Sequence, residues 1–257
     1  MLLYLILVAQ LASGASGPCR ATAAPAFDLA IIAAQDLDGT SDAFRRAGFR
    51  LKPGRLHANG LLNQHIKFPD GTEIELMTVR GTPGDDMARR YADLLKGGDG
   101  GVYVALKLEK LAAAERGAST LGLETRRSAS GPWQFLGFVA PSPAAAVFFT
   151  AGGTPAVDDP AIFQHEPRAA ALTEVWLEGG DALGALLRRL GSKSCGDATG
   201  PDGRKGQRWA LRNGTLVLVS PRGNDRPRVL GAVLETTGKP PGTLRPIPQF
   251  WIGYRTR

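Results

Sequence analysis

The sequence predicts an α+β fold built from tandem βαβββ modules, because two kinds of segment repeat along its 257 residues. An apolar, β-branched stretch followed by a turn and an amphipathic helical pattern occurs at 27–49, 101–124 and 171–191. A tight turn flanked by strand-forming residues occurs in PDGTEIELMTV (69–79) and again in RNGTLVLVSP (212–221). Tandem repetition of one supersecondary unit explains both observations.

The hairpin of the first module is the most specific local prediction. The motif PDG at 69–71 combines a fixed φ at proline with a glycine that tolerates the left-handed conformation, which is typical of a three-residue hairpin loop. Counting outward from this turn places His65 opposite Glu75. Because side chains alternate along a strand, Asn63 shares their face.

Two linkers are expected between the modules. Residues 80–100 should hold a helix from about Asp85 to Lys96, closed by the glycines that follow it. Residues 151–171 are rich in Gly and Pro and lack a regular period. An irregular connection of this length in a compact domain is often functional or covers a site.

The order of these segments resembles the glyoxalase-like domain of the vicinal oxygen chelate superfamily. The resemblance covers roughly residues 27–237 and implies curled mixed sheets around a cup. It rests on the following motifs: DL at 36–37, GFRLKPGRLH at 48–57, DGTEIEL at 70–76 and HEPRAAALTEVWL at 165–177. The resemblance implies a domain over 25–257 with modules at about 27–80, 101–150 and 171–237.

Metal-using members of that superfamily carry a His on the first strand and a Glu on the fourth strand of paired modules, converging on a divalent ion. Alignment on the DL motif places Leu29 at the position of the first-strand His. Tyr103 and Glu174 take the corresponding positions in the second and third modules. Glu75 keeps the fourth-strand carboxylate, whereas Leu218 replaces it in the last module. One matching carboxylate does not build that site, so no metal ligands are predicted. The cofactor stays unknown, and a divalent metal is not favoured.

Glu75 and His65 are the candidate catalytic residues. A His-Glu pair across two strands can bind a metal or act as an oriented general base, with the carboxylate raising the pKa of the ring. The structural alternative is a cross-strand pair of opposite charge, which contributes a few tenths to about 1 kcal/mol.

Four further residues are candidates for ligand binding: His57, Asn63, Trp133 and His165. The two histidines match His-containing motifs of the superfamily, although a loop His that caps backbone groups has the same sequence signature. Asn63 can hold a substrate oxygen or satisfy loop carbonyls. Trp133 and Phe135 alternate on a predicted strand, where packing in the core is more usual than stacking on a ligand.

Composition narrows the classes of function. The net charge of +7 is dispersed without a run of five or more like charges, which argues against a nucleic-acid partner. The motifs GxxxxGK[ST], GxGxxG, HExxH, CxxC and GxSxG do not occur in the sequence. Two hypotheses remain: a small-molecule binding protein that kept the fold without the full metal site, or a lyase, isomerase or ring-cleaving enzyme acting on a small oxygenated metabolite. Whether the chain is an enzyme, and whether it forms a homodimer, stay open.

The N-terminus indicates export. Residues 1–12 are apolar and 13–24 are small, a pattern that fits a secretory signal better than a membrane-spanning helix of about 20 residues. No basic residue precedes the apolar run, so a cytoplasmic protein with an over-extended start codon is the alternative to a bacterial periplasmic or secreted one. Residues 1–24 are expected to pack against nothing. Cys195 is then expected to be a lone thiol, although it can pair with Cys19 where both survive export.

Overall fold

The computed structural model describes residues 19–153, 157–222, 228–238 and 242–257. In these ranges a 15-stranded mixed sheet, curled and unclosed, packs against four α-helices. None of the described helices is long and apolar enough to cross a bilayer. The α+β class predicted from the repeats is therefore confirmed.

Three modules each follow the order strand, helix and three strands. The first consists of β1, α1, β2, β3 and β4 at Ala26–Ala33, Leu37–Arg46, Lys52–Leu56, Leu61–Lys67 and Glu73–Val79. The second consists of β5, α3, β6, β7 and β8 at Gly100–Lys107, Ala112–Thr120, Thr125–Ser130, Trp133–Phe138 and Val147–Gly152. The third consists of β9, α4, β10, β11 and β12 at Ala169–Glu178, Asp181–Arg189, Ser194–Thr199, Lys205–Ala210 and Thr215–Val219. The three predicted opening strands occupy equivalent places, and a helix follows each of them.

The predicted first hairpin is present with its predicted register. Phe68 N–H donates to the Thr72 carbonyl at 2.9 Å, and Gly71 closes the turn with a φ of 87°. Strands β3 and β4 are antiparallel, and His65 lies opposite Glu75. Turn chemistry alone therefore sets the register of the polar residues.

The chain ends in a shortened fourth unit that the sequence did not predict. It contains β13 at Val229–Thr236, β14 at Leu244–Ile247 and β15 at Phe250–Thr256. Strand β13 runs parallel to β15 while β14 is antiparallel to β15, as β1 runs parallel to β4 while β3 is antiparallel to β4. The third module ends at β12, so the expected extension of that module to residue 237 instead includes the first strand of this unit.

Modules join through their first strands. Strand β1 pairs antiparallel with β5, and β9 pairs antiparallel with β13. Paired in this way, the first two modules form one half of the sheet, and the third module with the C-terminal unit forms the other. The two halves meet where Val229 pairs with Gly101. An added Cβ at Gly101 would overlap the Val229 carbonyl. Helices α1, α3 and α4 contribute to one large apolar core that also includes residues of strands from both halves.

The predicted linker helix is present as α2, Asp86–Leu95, and Asp85 caps it by accepting a hydrogen bond from Ala88 N–H at 2.8 Å. Tyr91 of α2 packs in a separate apolar cluster with Ile31 and Met77. These side chains lie on the face of the sheet opposite α1, α3 and α4. We call this the cup face.

The expectation that residues 1–24 pack against nothing is wrong for residues 19–24, and residues 1–18 lie outside the described ranges. Arg20 forms a β-bridge with Leu211, and Ala21 N–H donates to the Leu211 carbonyl at 3.1 Å. Ala24 is fully buried. The short segment before β1 therefore packs on the third module, because its small side chains fit closely against that surface.

The expectation of a lone Cys195 is also wrong. Cys195 in β10 forms a disulfide with Cys19, and the two Cα atoms lie 6.0 Å apart. The docking of residues 20–24 explains the pairing, since it brings Cys19 to the edge strand that carries Cys195. Sequence spacing alone gave no sign of that docking.

Candidate functional site

Four side chains form a row across the cup face of the first two modules. The register aligns His65 with Glu75, Glu75 with Ile31, and Ile31 with Tyr103. Because side chains alternate between the two faces of a sheet, all four project from the same side. We call the β3–β4 part of this face the polar half and the β5, β7 and β8 part the aromatic half.

Glu75 is the buried centre of the polar half. Asn63 Nδ2 donates to Glu75 Oε1 at 2.6 Å, while Asn63 Oδ1 accepts from Arg55 N–H at 3.0 Å. Gly54 packs so closely on Asn63 that an added Cβ would overlap its backbone and side-chain oxygens. Burial raises the pKa of Glu75, against the opposing effects of His65 and Asn63. This carboxyl therefore keeps its proton to a higher pH than an ordinary Glu.

His65 directs its ring toward Glu73 rather than Glu75. Its Nδ1 lies 3.3 Å from Glu73 Oε1, without the alignment of a good hydrogen bond, so the contact is an ion pair when the ring is protonated. Burial works against protonation, but Glu73 and Glu75 outweigh it and the pKa of His65 is raised. Burial likewise opposes ionisation of Glu73, but His65 and Lys67 outweigh it and lower the pKa of Glu73.

The connection between the second and third modules covers part of the polar half. Asp158 accepts a hydrogen bond from Lys67 Nζ at 2.7 Å and forms a second ion pair with Lys52. Its side chain is only 7% exposed. The expectation that 151–171 covers a site agrees with this contact, although residues 154–156 lie outside the described part of the chain.

A β-bulge in β1, between the polar half and the aromatic half, adds a further carboxyl to the cup face. The β1–β5 register shifts between Phe27 and Leu29, and Asp28 at the shift accepts a hydrogen bond from Thr150 Oγ1 at 2.7 Å. Burial raises the pKa of Asp28, while Thr150 and the nearby charge of Lys107 lower it less strongly. The cup face thus holds carboxyl groups whose pKa values are shifted in opposite directions.

The aromatic half is a chain of ring contacts. Tyr103 lies between Tyr91 of α2 and Phe148, with ring centroids 5.6 and 6.1 Å apart, and Phe135 follows Phe148 at 6.3 Å. These rings face the polar half across β1. Together the two halves make a surface that is ionisable on one side and apolar on the other.

Trp133, a predicted ligand contact, packs against protein groups. Lys107 Nζ lies 5.2 Å from the centroid of the Trp133 ring. The backbone at Gly153 lies so close to the same ring that a Cβ there would overlap it. Phe135, on the same strand, is the aromatic side chain that joins the ring contacts described above.

His57 lies at the edge of the polar half. Its backbone N–H donates to Leu61 O at 2.7 Å, and its ring interacts with Asn63. Burial and the charge of Arg55 lower the pKa of His57 despite that contact. His57 therefore belongs to the same constellation as Asn63, Glu75 and His65.

His165 lies apart from them, on the helix side of the sheet. Its Nδ1 accepts from Arg50 N–H at 3.1 Å, so Nε2 carries the proton that it donates to the Lys67 carbonyl at 2.8 Å. The ring packs 5.5 Å from both Phe49 and Phe68, which belong to the large core. Burial lowers the pKa of His165. Both ring nitrogens are thus used in holding loop 164–168 on the first module.

The corresponding face of the third module has a different chemistry. Glu174, at the place aligned with Leu29, is buried. Its Oε1 accepts from Trp176 Nε1 at 2.8 Å, and its Oε2 accepts from Arg208 Nε and Thr215 Oγ1, each at 3.1 Å. Arg255 adds a fourth contact at 3.2 Å. This carboxylate is committed to neighbouring protein groups.

The sequence alignment of the modules matched Leu218 with Glu75, and this match is wrong by one residue. Thr215 pairs with Glu174 as Glu73 pairs with Leu29, so Val217 is the counterpart of Glu75. Leu218 packs in the core on the opposite face. The turn before β12 is one residue shorter than the first hairpin turn, which shifts the parity without restoring a carboxylate.

The side chains present do not fit the metal site of the superfamily. Among the described residues, no three His, Cys, Asp or Glu side chains converge in a way that could hold a metal ion. Leu29 and Tyr103 occupy the first-strand positions of the first two modules.

Two solved structures support the fold of this chain. No protein-family model matches the chain, and no curated protein matches it. A hypothetical protein from Staphylococcus aureus is similar in structure with a TM-score of 0.63 and 12% identity, over 91% of this chain and 99% of that one. A xylose isomerase-like TIM barrel/4-hydroxyphenylpyruvate dioxygenase fusion protein has a TM-score of 0.57 and 15% identity over 86% of this chain, which spans 38% of the fusion. A methylmalonyl-CoA epimerase from Mycobacterium tuberculosis shares 19% identity over 50% of this chain and 89% of its own, with a TM-score of 0.39. The architecture of this chain is a vicinal oxygen chelate fold.

Several residues of the site were missed at the level of sequence. Glu73 and Lys67 share the parity of Glu75 and His65, and that alternation alone identifies them as neighbours on the cup face. Asp28 required knowledge of a bulge, and Asp158 required the path of a loop distant in sequence. No local sequence pattern indicates that Asp28 or Asp158 belongs to the site.

Proposed function

We propose that the cup face of the first two modules binds a small oxygenated organic molecule, without the full metal site of the superfamily. The observation that carries the proposal is Glu75, a buried carboxyl with a raised pKa that lies beside His65 and opposite an aromatic surface. A buried carboxyl with a shifted pKa in such a place is typical of functional sites.

The polar half supports contacts to ligand oxygens. A protonated Glu75 can donate a hydrogen bond to a carbonyl or hydroxyl oxygen, and a protonated His65 can donate to a second oxygen or to a carboxylate. Asn63 holds the Glu75 carboxyl in place through the 2.6 Å hydrogen bond. His57 would act at the rim. In this proposal His165 supports the site from the helix side of the sheet. Trp133 packs against Lys107 and Gly153, and neither residue contacts the ligand.

The aromatic half supports contacts to the carbon skeleton. Tyr103, Phe148 and Phe135 form a continuous set of rings, which suits a flat or apolar body. The Asp158 carboxylate forms ion pairs with Lys52 and Lys67, the two lysines that border the polar half. An anionic ligand would compete with this carboxylate, so we propose that the loop carrying Asp158 gives way when such a ligand binds.

The second candidate is an enzyme of the lyase, isomerase or ring-cleaving class acting on a small oxygenated metabolite. The retained fourth-strand Glu75 favours it, because a carboxyl with a raised pKa can serve as a general acid or base near neutral pH. In the metal-dependent form of this candidate, Glu75 would instead be a ligand. Elemental analysis of protein purified without chelator separates the two forms, since a stoichiometric divalent metal would contradict the metal-free proposal.

Saturation-transfer NMR against small uncharged phenols, alcohols and ketones tests the proposal, because uncharged probes avoid the arginine-lined part of the molecule. We expect compounds that bind the wild type to lose their signal in Glu75→Gln and in His65→Gln. They should keep it in Glu115→Gln, which removes a carboxylate from an exposed ion pair with Arg127. Binding that survives both cup-face substitutions would place the functional site elsewhere.

We further propose a periplasmic or secreted location, for which the Cys19–Cys195 disulfide is supporting evidence because such bonds persist in oxidising compartments. Retention of the disulfide requires signal cleavage before Cys19. Mass spectrometry of the native protein tests this, since an intact Met1 with cytoplasmic fractionation would favour the over-extended start codon.

A further inference from the structure

A second cavity, separate from the cup face of the first two modules, lies between the third module and the C-terminal unit. Its volume is about 280 Å³, close to the lower end of the usual range for small-molecule sites. Its lining combines four arginines with two carboxylates and an apolar surface that includes Trp251 and Leu230. Positive side chains therefore dominate the described walls.

Part of that positive charge is already matched. Arg204 Nη1 donates to Glu178 Oε1 at 2.7 Å, and its Nη2 donates to the Ser220 carbonyl at 2.6 Å. Asp202 accepts from the Arg204 backbone N–H at 3.1 Å. Arg228 Nη1 donates to Gln249 Oε1 at 3.0 Å. These groups build the wall of the cavity.

Two of the arginines that line the cavity have side chains without a partner among the described residues. Within the described ranges, Arg222 and Arg245 form neither an ion pair nor a hydrogen bond through their side chains. Both are exposed at the rim of the cavity. Guanidinium groups present several donors in a plane and match the oxygens of carboxylates and phosphates.

Trp251, one of the lining residues, carries an unpaired neutral donor. Trp251 is 2% exposed, and its indole Nε1 has no hydrogen-bond partner among the described residues. A buried Trp N–H usually finds a partner, because leaving such a donor unsatisfied is unfavourable. An oxyanion in the cavity would supply opposite charge for the rim and would lie near the indole of Trp251.

We propose that this cavity binds a small organic anion, with its carboxylate or phosphate held by Arg222 and Arg245 and its apolar body packed on Trp251 and Leu230. Because Trp251 lines the cavity, binding changes the surroundings of its indole N–H. Neutral molecules of similar shape bind more weakly, since they leave the two guanidinium groups unmatched. Steering by the net positive charge of the chain assists association.

NMR titration of the indole N–H signal of Trp251 in the full chain tests the proposal, with phenyl phosphate, benzoate and benzyl alcohol as probes. Comparison with Trp251→Phe assigns the signal. We expect one or both anions to shift it in a saturable way and the neutral alcohol to leave it in place. A response to phenyl phosphate alone indicates a phosphate ester as the natural class, and a response to benzoate alone indicates a carboxylate.

Charge-neutral variants decide which residues carry the binding. Arg222→Gln and Arg245→Gln should each weaken anion binding about tenfold or more, the scale of a lost charge-assisted hydrogen bond. Arg116→Gln, an exposed position on α3, makes the same change in net charge and should leave affinity unchanged. Glu75→Gln should also leave it unchanged, which separates this site from the one under Proposed function.

Three results would overturn the proposal. One is a Trp251 signal that neither anion moves at millimolar concentration. Another is an equal response to benzyl alcohol, and the third is a loss in Arg116→Gln as large as in the two rim variants. Because the substituted arginines are exposed, none of these results would reflect misfolding of the variants.

Discussion

Glu75 and His65 lie on adjacent strands, yet the protein shifts their proton affinities for different reasons. Burial raises the pKa of Glu75, so the environment favours the neutral acid. The pKa of His65 is raised because Glu73 and Glu75 outweigh the effect of burial. Both groups therefore hold protons more tightly in the folded chain than in the unfolded chain. The stability that they contribute is fully present at low pH and falls as pH rises.

Glu75→Gln should leave the protein as stable as the wild type, or more stable, at neutral pH. Gln keeps the oxygen that accepts from Asn63 and carries no charge to bury. The wild type loses the Glu75 contribution as pH rises from the ordinary carboxyl range through the raised folded pKa, whereas the variant does not. The gap in free energy of unfolding, variant minus wild type, should widen with pH. Urea denaturation at a series of pH values measures it.

Glu115→Gln is the control, because its carboxylate lies in an exposed pair with Arg127 and its loss should change stability little. A Glu75→Gln variant that loses more than about 2 kcal/mol at neutral pH would contradict the prediction. That loss would mean that a charged Glu75 stabilises the fold through His65.

His65 should titrate above the ordinary histidine value of 6.5, whereas His57 and His165 should titrate below it. Replacing Glu73 by Gln should lower the pKa of His65, because the carboxylate 3.3 Å from Nδ1 is removed. Ring-proton NMR across pH 5–8 resolves the three histidines. An unchanged His65 titration in Glu73→Gln would assign the shift to Glu75 instead. The stability contributed by His65 disappears as pH rises through its raised pKa.

At the scale of the hairpin, two glycines serve different needs. Gly71 has a φ of 87° and nothing within 4 Å of an added Cβ, so Gly71→Ala should cost only the left-handed backbone strain, about 1–2 kcal/mol. Gly54→Ala should cost more and also shift the titration of Glu75, because the new Cβ would displace Asn63. Denaturant unfolding with NMR titration separates them. Equal effects on Glu75 in both variants would contradict this division.

Local chemistry predicted the elements of the site better than its contacts. The turn at 69–71 fixed the register of β3 and β4, and alternation placed Asn63, His65 and Glu75 on one face. Partner choice did not follow from register, since His65 contacts Glu73 on the neighbouring diagonal position. Diagonal and direct cross-strand neighbours are both within reach of long side chains, so pattern alone does not select between them.

Contacts distant in sequence account for the rest of what was missed. The amphipathic pattern of α2 indicates that one side of the helix is buried, but it does not indicate which surface covers that side. The position of α2 on the cup face was therefore not predicted. His165 matched a motif of the superfamily, yet its ring holds a loop on the helix side of the sheet. Motif matching locates a residue along the chain, whereas the fold decides which face receives it.

At the scale of the whole molecule, repetition predicted three modules and missed the fourth unit. The first three contain a strand followed by an amphipathic helix, which leaves a period in the sequence. The unit formed by β13, β14 and β15 keeps the strand pairing without that strand-helix pattern. Its presence completes a second pair of units, and this pairing creates the arginine-lined cavity.

The N-terminal segment ties the first module to the third. Asn213 Oδ1 accepts from Phe27 N–H at 2.7 Å at the start of β1, and the Cys19–Cys195 disulfide closes a separation of 176 residues just before it. Cross-linking positions so far apart restricts the unfolded chain strongly. Disulfides of this kind typically contribute about 2–4 kcal/mol, with a range up to about 5.

Replacing Cys19 and Cys195 by Ser should therefore lower the free energy of unfolding by about 2–5 kcal/mol. The double variant should match the wild type measured in reductant, because each lacks the same cross-link. Hydrogen exchange should also increase at Ala21 N–H, whose bond to the Leu211 carbonyl lies next to the disulfide. Urea unfolding with and without reductant, together with exchange mass spectrometry, provides the measurement. Wild-type stability that does not change on full reduction would mean that the packing of residues 20–24 holds the two modules together without the covalent link.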